Sequence, residues 1–328
     1  IFKKEEYLNK LKEYELYSFE TREKLDKEFQ DLLREKSIHR YVRGSRNINS
    51  SGSFIYDCKN VQGSFEVFKA ENAKNIFSAI DIKDCMDAYH MGLNTELCYE
   101  IQGCTRISNC QFCHLCYDNM NVMYSDTCQN SQNLFGCVSV KKGEYMIFNK
   151  KYSKEEYEKL KEKIIEHMKK TGEYGEFFPP AIAPVYYNET QGALYVPMTK
   201  EAVLAKGWQW EDNVLGTKGK ETIKSGDIPD KIEDVQESYL KEVFACTECS
   251  KNYNVTENEL LFYQKENIPF PRKCPNCRYK RRFNLRPPRK LWHRQCMNKG
   301  CSNEFETTYE PGRPEKVYCE TCYNKEVY

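Results

Sequence analysis

The chain has 328 residues, enough for two or three domains, and its 50 basic and 49 acidic side chains leave it close to neutral. A neutral total excludes a chain-wide attraction to polyanions, and no run approaches the roughly eighteen apolar residues of a membrane span. No charged n-region, apolar run and cleavage site of the secretory kind is present. The chain therefore reads as cytoplasmic, or as a piece of a cytoplasmic protein whose natural start precedes Ile1.

Residues 1–45 are rich in Lys, Glu and Leu, and Leu25, Phe29, Leu32 and Leu33 fall at helical spacing, which predicts one or two amphipathic helices. Residues 46–150 hold nine of the 17 cysteines and a set of recurring phrases, among them Cys58-Lys-Asn-Val61, Ala73-Lys-Asn-Ile76, Ile82-Lys-Asp-Cys85 and Cys104-Thr-Arg-Ile107. Steps of nine residues, pairing into a recurrence near 22, predict a short right-handed β-solenoid with small apolar residues stacked inward. Asn and Asp belong at its corners, because they tolerate left-handed backbone. No coil buries its inner face alone, so the open ends need covers, and flanking helices are expected there. Ser153 and Glu156 form a capping box for a helix with the stripe Tyr157, Leu160, Ile164 and Met168, stopped by Gly172. Residues 151–240 read as this helix followed by an irregular connector, with a short helix from Thr199.

The remaining eight cysteines come in tight pairs. Cys246-x2-Cys249 with Cys274-x2-Cys277 defines a module at 241–287, and Cys296-x4-Cys301 with Cys319-x2-Cys322 defines one at 288–328. A knuckle delivers two sulfurs from one turn, and two knuckles close a tetrahedral shell. Two structural zinc ions in treble-clef or zinc-ribbon modules follow, with no open position for catalysis. Thr256 with Glu259 starts one helix, and Pro275 opens a basic one that Pro287 and Pro288 end.

From Arg272 to Lys299 there are eleven Lys or Arg and no acid. Arg278, Lys280, Arg281, Arg282, Arg286, Arg289, Lys290 and Arg294 are the candidate phosphate contacts, with Tyr279, Phe283 and Trp292 as candidate stacking rings. This predicts binding of DNA or RNA. In the competing account the same cations pair with acids of the solenoid or of a protein partner. A scaffold whose solenoid binds other proteins, or copies of itself, is the alternative function.

An enzyme is the third reading. Asp81, Asp84, Asp87, His90 and Glu100 would be its acids and base, Cys113 beside His114 a nucleophile pair, and Cys110-x2-Cys113-x2-Cys116 near Cys104 an iron–sulfur-like run. Corner residues and stacked core cysteines account for these more simply, so no catalytic residue is assigned.

Several of these phrases resemble a family of zinc-ribbon proteins with a Cys-rich repeat region, found mainly in uncultivated small-genome bacteria. The resemblance rests on Thr95-Glu-Leu-Cys-Tyr-Glu100, Asn133-Leu-Phe-Gly-Cys137, Phe148-Asn-Lys-Lys-Tyr-Ser-Lys-Glu-Glu-Tyr157, Arg289-Lys-Leu-Trp-His-Arg294 and Val317-Tyr-Cys-Glu-Thr-Cys322. Residues 244–286 are similar to a small treble-clef domain. The resemblance implies zinc and a repeat fold, and it implies no activity.

Overall fold

In the computed structural model, which describes residues 2–328, the chain from Cys58 to Met91 turns inward at every third residue. Cys58, Val61, Ser64, Val67, Ala70, Ala73, Ile76, Ala79, Ile82, Cys85, Ala88 and Met91 are all buried. The residue before each of them, from Asp57 and Asn60 to Asp87 and His90, has a positive φ. This triplet rhythm replaces the two-residue alternation of an ordinary strand. Strand pairing sets the larger repeat: Gln132 lies beside Met120 on one side and Glu144 on the other, twelve residues each way. A coil is thus four triplets, hence four short walls, and about nine coils stack in parallel. The period is twelve and not 22. The nine-residue steps in the sequence are three triplets of the same rhythm.

Walls of three residues leave a narrow lumen, and its filling follows from that. Val, Ile, Ala and Cys dominate it, and every solenoid cysteine is buried. Each thiol bonds two backbone carbonyls, as with Cys113 to Gln111 O at 3.2 Å and to Val122 O at 3.4 Å in the next coil. Cysteine is here a small hydrophobe with a weak donor. Lumenal polar groups are also satisfied. Asn119 donates to Cys128 O at 2.8 Å and accepts from Ser131 N at 2.9 Å.

The corners need left-handed backbone, which Asn and Asp accept most readily among non-glycine residues. They form ladders from coil to coil: Asn60 donates to Asn72 at 3.0 Å and Asn72 to Asp84 at 2.9 Å. One coil is longer, since Ile82 pairs with Thr95 and Cys85 with Cys98. The extra residue enters beside Gly92, where a Cβ would meet Thr105 Oγ1 at 2.3 Å. Only glycine fits that approach.

The solenoid belongs to one of two units, made of His39–Pro184, Pro288–Arg313 and Val317–Tyr328. Two features close its ends. At the start, the second four-cysteine module packs on the first coils, with Phe305 against Tyr41 at 5.0 Å and Thr307 Oγ1 donating to Tyr41 O. After the last coil the chain doubles back, and Lys150–Lys151 pairs antiparallel with Met146 and Ile147. Lysines on a reversed edge strand discourage further strand addition.

Helices stand on both sides of the solenoid in the chain. Before it come α1 (Lys4–Glu13) and α2 (Phe19–Asp31); after it comes α3 (Lys154–Thr171), with both capping-box bonds between Ser153 and Glu156 and Gly172 at φ 78°. α3 lies against an aromatic wall of the last coils. There Phe112 stacks on Tyr124 at 4.5 Å, and Tyr157 is fully buried beside them.

The other unit takes the N-terminal segment to Ile38, Val185–Pro287 and Pro314–Lys316. It contains α1, α2, α4 (Gly192–Tyr195), α5 (Lys200–Ala205, capped by Thr199), α6 (Glu257–Lys265) and α7 (Pro275–Asn284). Its core joins the connector to the first module through Ile228, Ile232, Phe244, Tyr253, Leu260 and Phe270. α2 is fastened to this core: Phe19 N and Glu20 N donate to Asp230, and the Arg272 guanidinium lies over the Phe19 ring at 4.8 Å. No helix among the described residues is long and apolar enough to cross a membrane.

Candidate metal centres and basic helix

The two modules are built alike. In each, one cysteine pair sits on a β-hairpin and the other at the start of a helix. Phe244–Ala245 and Asn252–Tyr253 form the first hairpin, with Cys246 and Cys249 in its turn, while Cys274 is the N-cap of α7 and Cys277 lies in its first turn. Trp292–Gln295 and Glu304–Thr307 form the second, with Cys296 and Cys301 between them. Cys319 is the N-cap of α8 (Glu320–Val327), and Cys322 lies in its first turn.

The eight predicted ligands form two groups, Cys246/Cys249/Cys274/Cys277 and Cys296/Cys301/Cys319/Cys322, with the sulfurs of each group within 4.8 Å of one another. A tetrahedral ion with metal–sulfur bonds of about 2.3 Å requires sulfurs about 3.8 Å apart. Cys249 and Cys274 are 3.8 Å apart, and Cys301 and Cys319 are 4.0 Å apart. The donor set fits.

Electrostatics point the same way. Burial alone would push the Cys246 thiol up, but backbone N–H groups around Cys274, Cys249 and Glu248 bring it down to about 6. Burial, then the neighbouring sulfurs Cys249, Cys274 and Cys246, push Cys277 well up. In the second site burial again opposes ionisation, and Asn303 and the helix N–H groups hold Cys319 at about 6. Each nest favours one thiolate and resists ionisation of two neighbours, Cys274 and Cys277 in the first and Cys296 and Cys322 in the second, so a full shell of thiolates calls for a cation. Asn303 Nδ2 and Cys319 N supply the outer bonds, at 3.5 Å to Cys319 Sγ and 3.3 Å to Cys296 Sγ.

The solenoid cysteines assemble no such group among the described residues. Cys110, Cys113 and Cys116 do all point inward within one coil. A spacing of three would send neighbours to opposite faces of an ordinary strand, but the triplet period brings all three to the lumen. Their bonds run to carbonyls, as in the rest of the lumen. Alkylation of native, metal-loaded protein is expected to label none of the nine thiols from Cys58 to Cys137, and peptide mass spectrometry after denaturation should find all nine newly reactive. Labelling in the native state would contradict the sealed lumen.

The other chemical candidates separate. Asp81, Asp84, Asp87 and His90 occupy successive corners of one coil and so face four different walls. Glu100 falls beside Asp87 in the next coil, where burial and that neighbour raise its carboxyl. Cys113 points into the lumen while His114 faces out, its Nδ1 2.8 Å from Asp126.

The basic segment is divided by its partners. Arg278 bonds Glu259 Oε1 at 2.8 Å and the Tyr263 hydroxyl at 2.5 Å, bracing α7 against α6. Arg281 faces Glu23 at 3.3 Å and Asp26 at 3.8 Å on α2. In the solenoid unit, Arg289 reaches Glu66 at 2.5 Å and Ser78 at 2.6 Å between the rings of Phe77 and Tyr89. Arg294 donates to the carbonyls of Tyr309 and Glu310 at 3.4 Å, and Lys290 covers Trp292 at 4.9 Å. Arg286 bonds the Tyr195 hydroxyl at 3.2 Å and stays exposed. Lys280 and Arg282 are exposed and make no ion pair among the described residues. The sequence signalled this positive charge but not which cations the protein keeps for itself.

No family model and no curated protein matches the chain. Among solved structures, it aligns with a UDP-N-acetylglucosamine acyltransferase from Campylobacter jejuni at 9% identity, over 43% of this chain and 91% of that one, with a TM-score of 0.19. It also aligns with a hexapeptide transferase family protein from Anaplasma phagocytophilum at 10% identity, over 42% and 92%, with a TM-score of 0.12. Scores this low carry no argument about fold or function.

Proposed function

We propose that the protein is a zinc-dependent nucleic-acid-binding protein, with one zinc ion in each four-cysteine module and the outward face of α7 as its contact surface. The observation that carries this is the pairing pattern on α7. Arg278 and Arg281 turn to acids of the same unit, whereas Lys280 and Arg282 present unpaired charge to solvent. Zinc would fix that helix by its first turn through Cys274 and Cys277, so the charges are held in one orientation. Phosphates drawn to such a face release condensed counterions, and affinity then falls with salt. A cytoplasmic location suits seventeen free cysteines.

Fluorescence anisotropy of labelled oligonucleotides across a salt series tests the reading. Each phosphate contact contributes a slope of about 0.7–0.9 in log affinity against log salt. A slope of about 2 or more is expected, falling by more than 1 when Lys280 and Arg282 both become Ala. No binding at low salt by protein holding two zinc ions would overturn it.

A scaffold function keeps one specific support: Phe68, Ile80 and Leu93 follow at coil spacing and are 44%, 42% and 49% exposed. End-to-end stacking of solenoids is disfavoured by the closed ends. Its mark would be a size by light scattering that rises with concentration and ignores salt.

A further inference from the structure

We infer that α7 is built for single strands and that Tyr279 is the residue on which an unpaired base stacks; this rests on the nucleic-acid reading above. The argument begins with helix geometry. At 100° per residue, Tyr279 and Phe283 share one face of α7, with Lys280 on one flank and Arg282 on the other, and Arg286, just past the end of the helix, continues the stripe by lying over Phe283. Arg281 lies on the far side and Arg278 beyond Arg282, where their acids hold them. The stripe is planar groups throughout. Tyr279 and Phe283 have ring centroids 6.2 Å apart, and Phe283 meets the edge of Tyr195 at 4.9 Å. The Arg286 guanidinium lies over Phe283 at 5.3 Å and over Tyr195 at 5.8 Å. Tyr279 is 45% exposed at the free end of this stack.

A helix that reads a duplex backbone needs a row of cations, because the base faces are already covered by their neighbours. An exposed ring gains nothing there. A single strand offers bare base faces beside its phosphates, and a ring flanked by cations meets both at once. Arg286, ordered by two rings and the Tyr195 hydroxyl, extends the platform as a second planar surface at little entropic cost. Because every base has a face, the surface is sequence-tolerant.

The test compares a labelled oligothymidylate and oligouridylate with a hairpin duplex of equal phosphate number at one salt concentration. Wild-type protein should bind the single strands about tenfold or more tightly. Tyr279→Ala should remove most of that preference, lowering single-strand affinity about five- to fiftyfold and leaving the duplex within about twofold, whereas Tyr279→Trp should retain it. Metal content of two ions and an unchanged helical spectrum certify that each variant is folded. Duplex binding as tight as single-strand binding, with a normal salt slope, would overturn this inference and leave the proposed function standing. Equal losses on both ligands in Tyr279→Ala would do the same. Absence of binding to all three would overturn both.

Discussion

Replacing Cys274 by Ser is expected to leave the protein with one tightly held metal ion instead of two, and to release α7 from its module. Cys274 caps that helix, accepts from Cys277 N at 3.5 Å and lies 3.8 Å from Cys249 Sγ. A hydroxyl there removes a thiolate from a shell that needs four. Structural zinc contributes about 10–16 kcal/mol in small modules at neutral pH, so even a partial loss of a metal of this kind is comparable with the stability of a whole domain. The connector core around Phe244 and Phe270 is larger than an isolated zinc module's and should keep its hydrophobic packing. Amide exchange should therefore rise in α7 and around Cys246–Cys249, with the solenoid unchanged. Elemental analysis gives the stoichiometry. Two ions retained in the variant would refute the site.

The second large effect is expected at Arg289. Its side chain is 11% exposed, lies between the Phe77 and Tyr89 rings, and bonds Glu66 and Ser78. Arg289→Met fills a similar volume but strands the Glu66 carboxylate, which is only 26% exposed. Breaking a buried pair costs about 3–5 kcal/mol; with Glu66 partly wet, about 2–4 kcal/mol is expected. Changing Glu66 to Met as well should restore most of it, since the stranded charge is gone. A double variant as unstable as the single one would show that the pair matters by packing alone. Urea unfolding of metal-loaded protein reads both.

Local signals in the sequence translated directly. Ser153 with Glu156, Gly172, Thr199 and Pro275 each do what short-range backbone chemistry demands, and these bonds need no tertiary context. The cysteine pairs were equally legible, because two knuckles have few ways to share an ion. The coil period was not. Triplet repeats produce recurrences at any multiple of three, and the extra residue at Gly92 shifts the register midway. A clearer signal lay in the exposed positions: Lys59, Glu71, Lys83 and Glu96 alternate in sign at coil spacing, and Lys59 meets Glu71 at 3.0 Å. The partners of the arginines were out of reach for another reason. Glu66 and Arg289 are 223 residues apart, and charge along a chain does not say which acid folding brings near.

The twelve-residue coil also limits how such a chain can change length over generations. Loss or gain of one residue would turn every later side chain from lumen to surface. Three residues would keep inside and outside but rotate each ladder by one wall, setting Asn against Lys. Only whole coils can be duplicated or deleted without loss, which makes the solenoid a ruler marked in twelves. Gly92, with its added residue, is one place on that ruler where a smaller step has been absorbed; the first coil, where Gly44 pairs with Ile55 eleven residues on, is another.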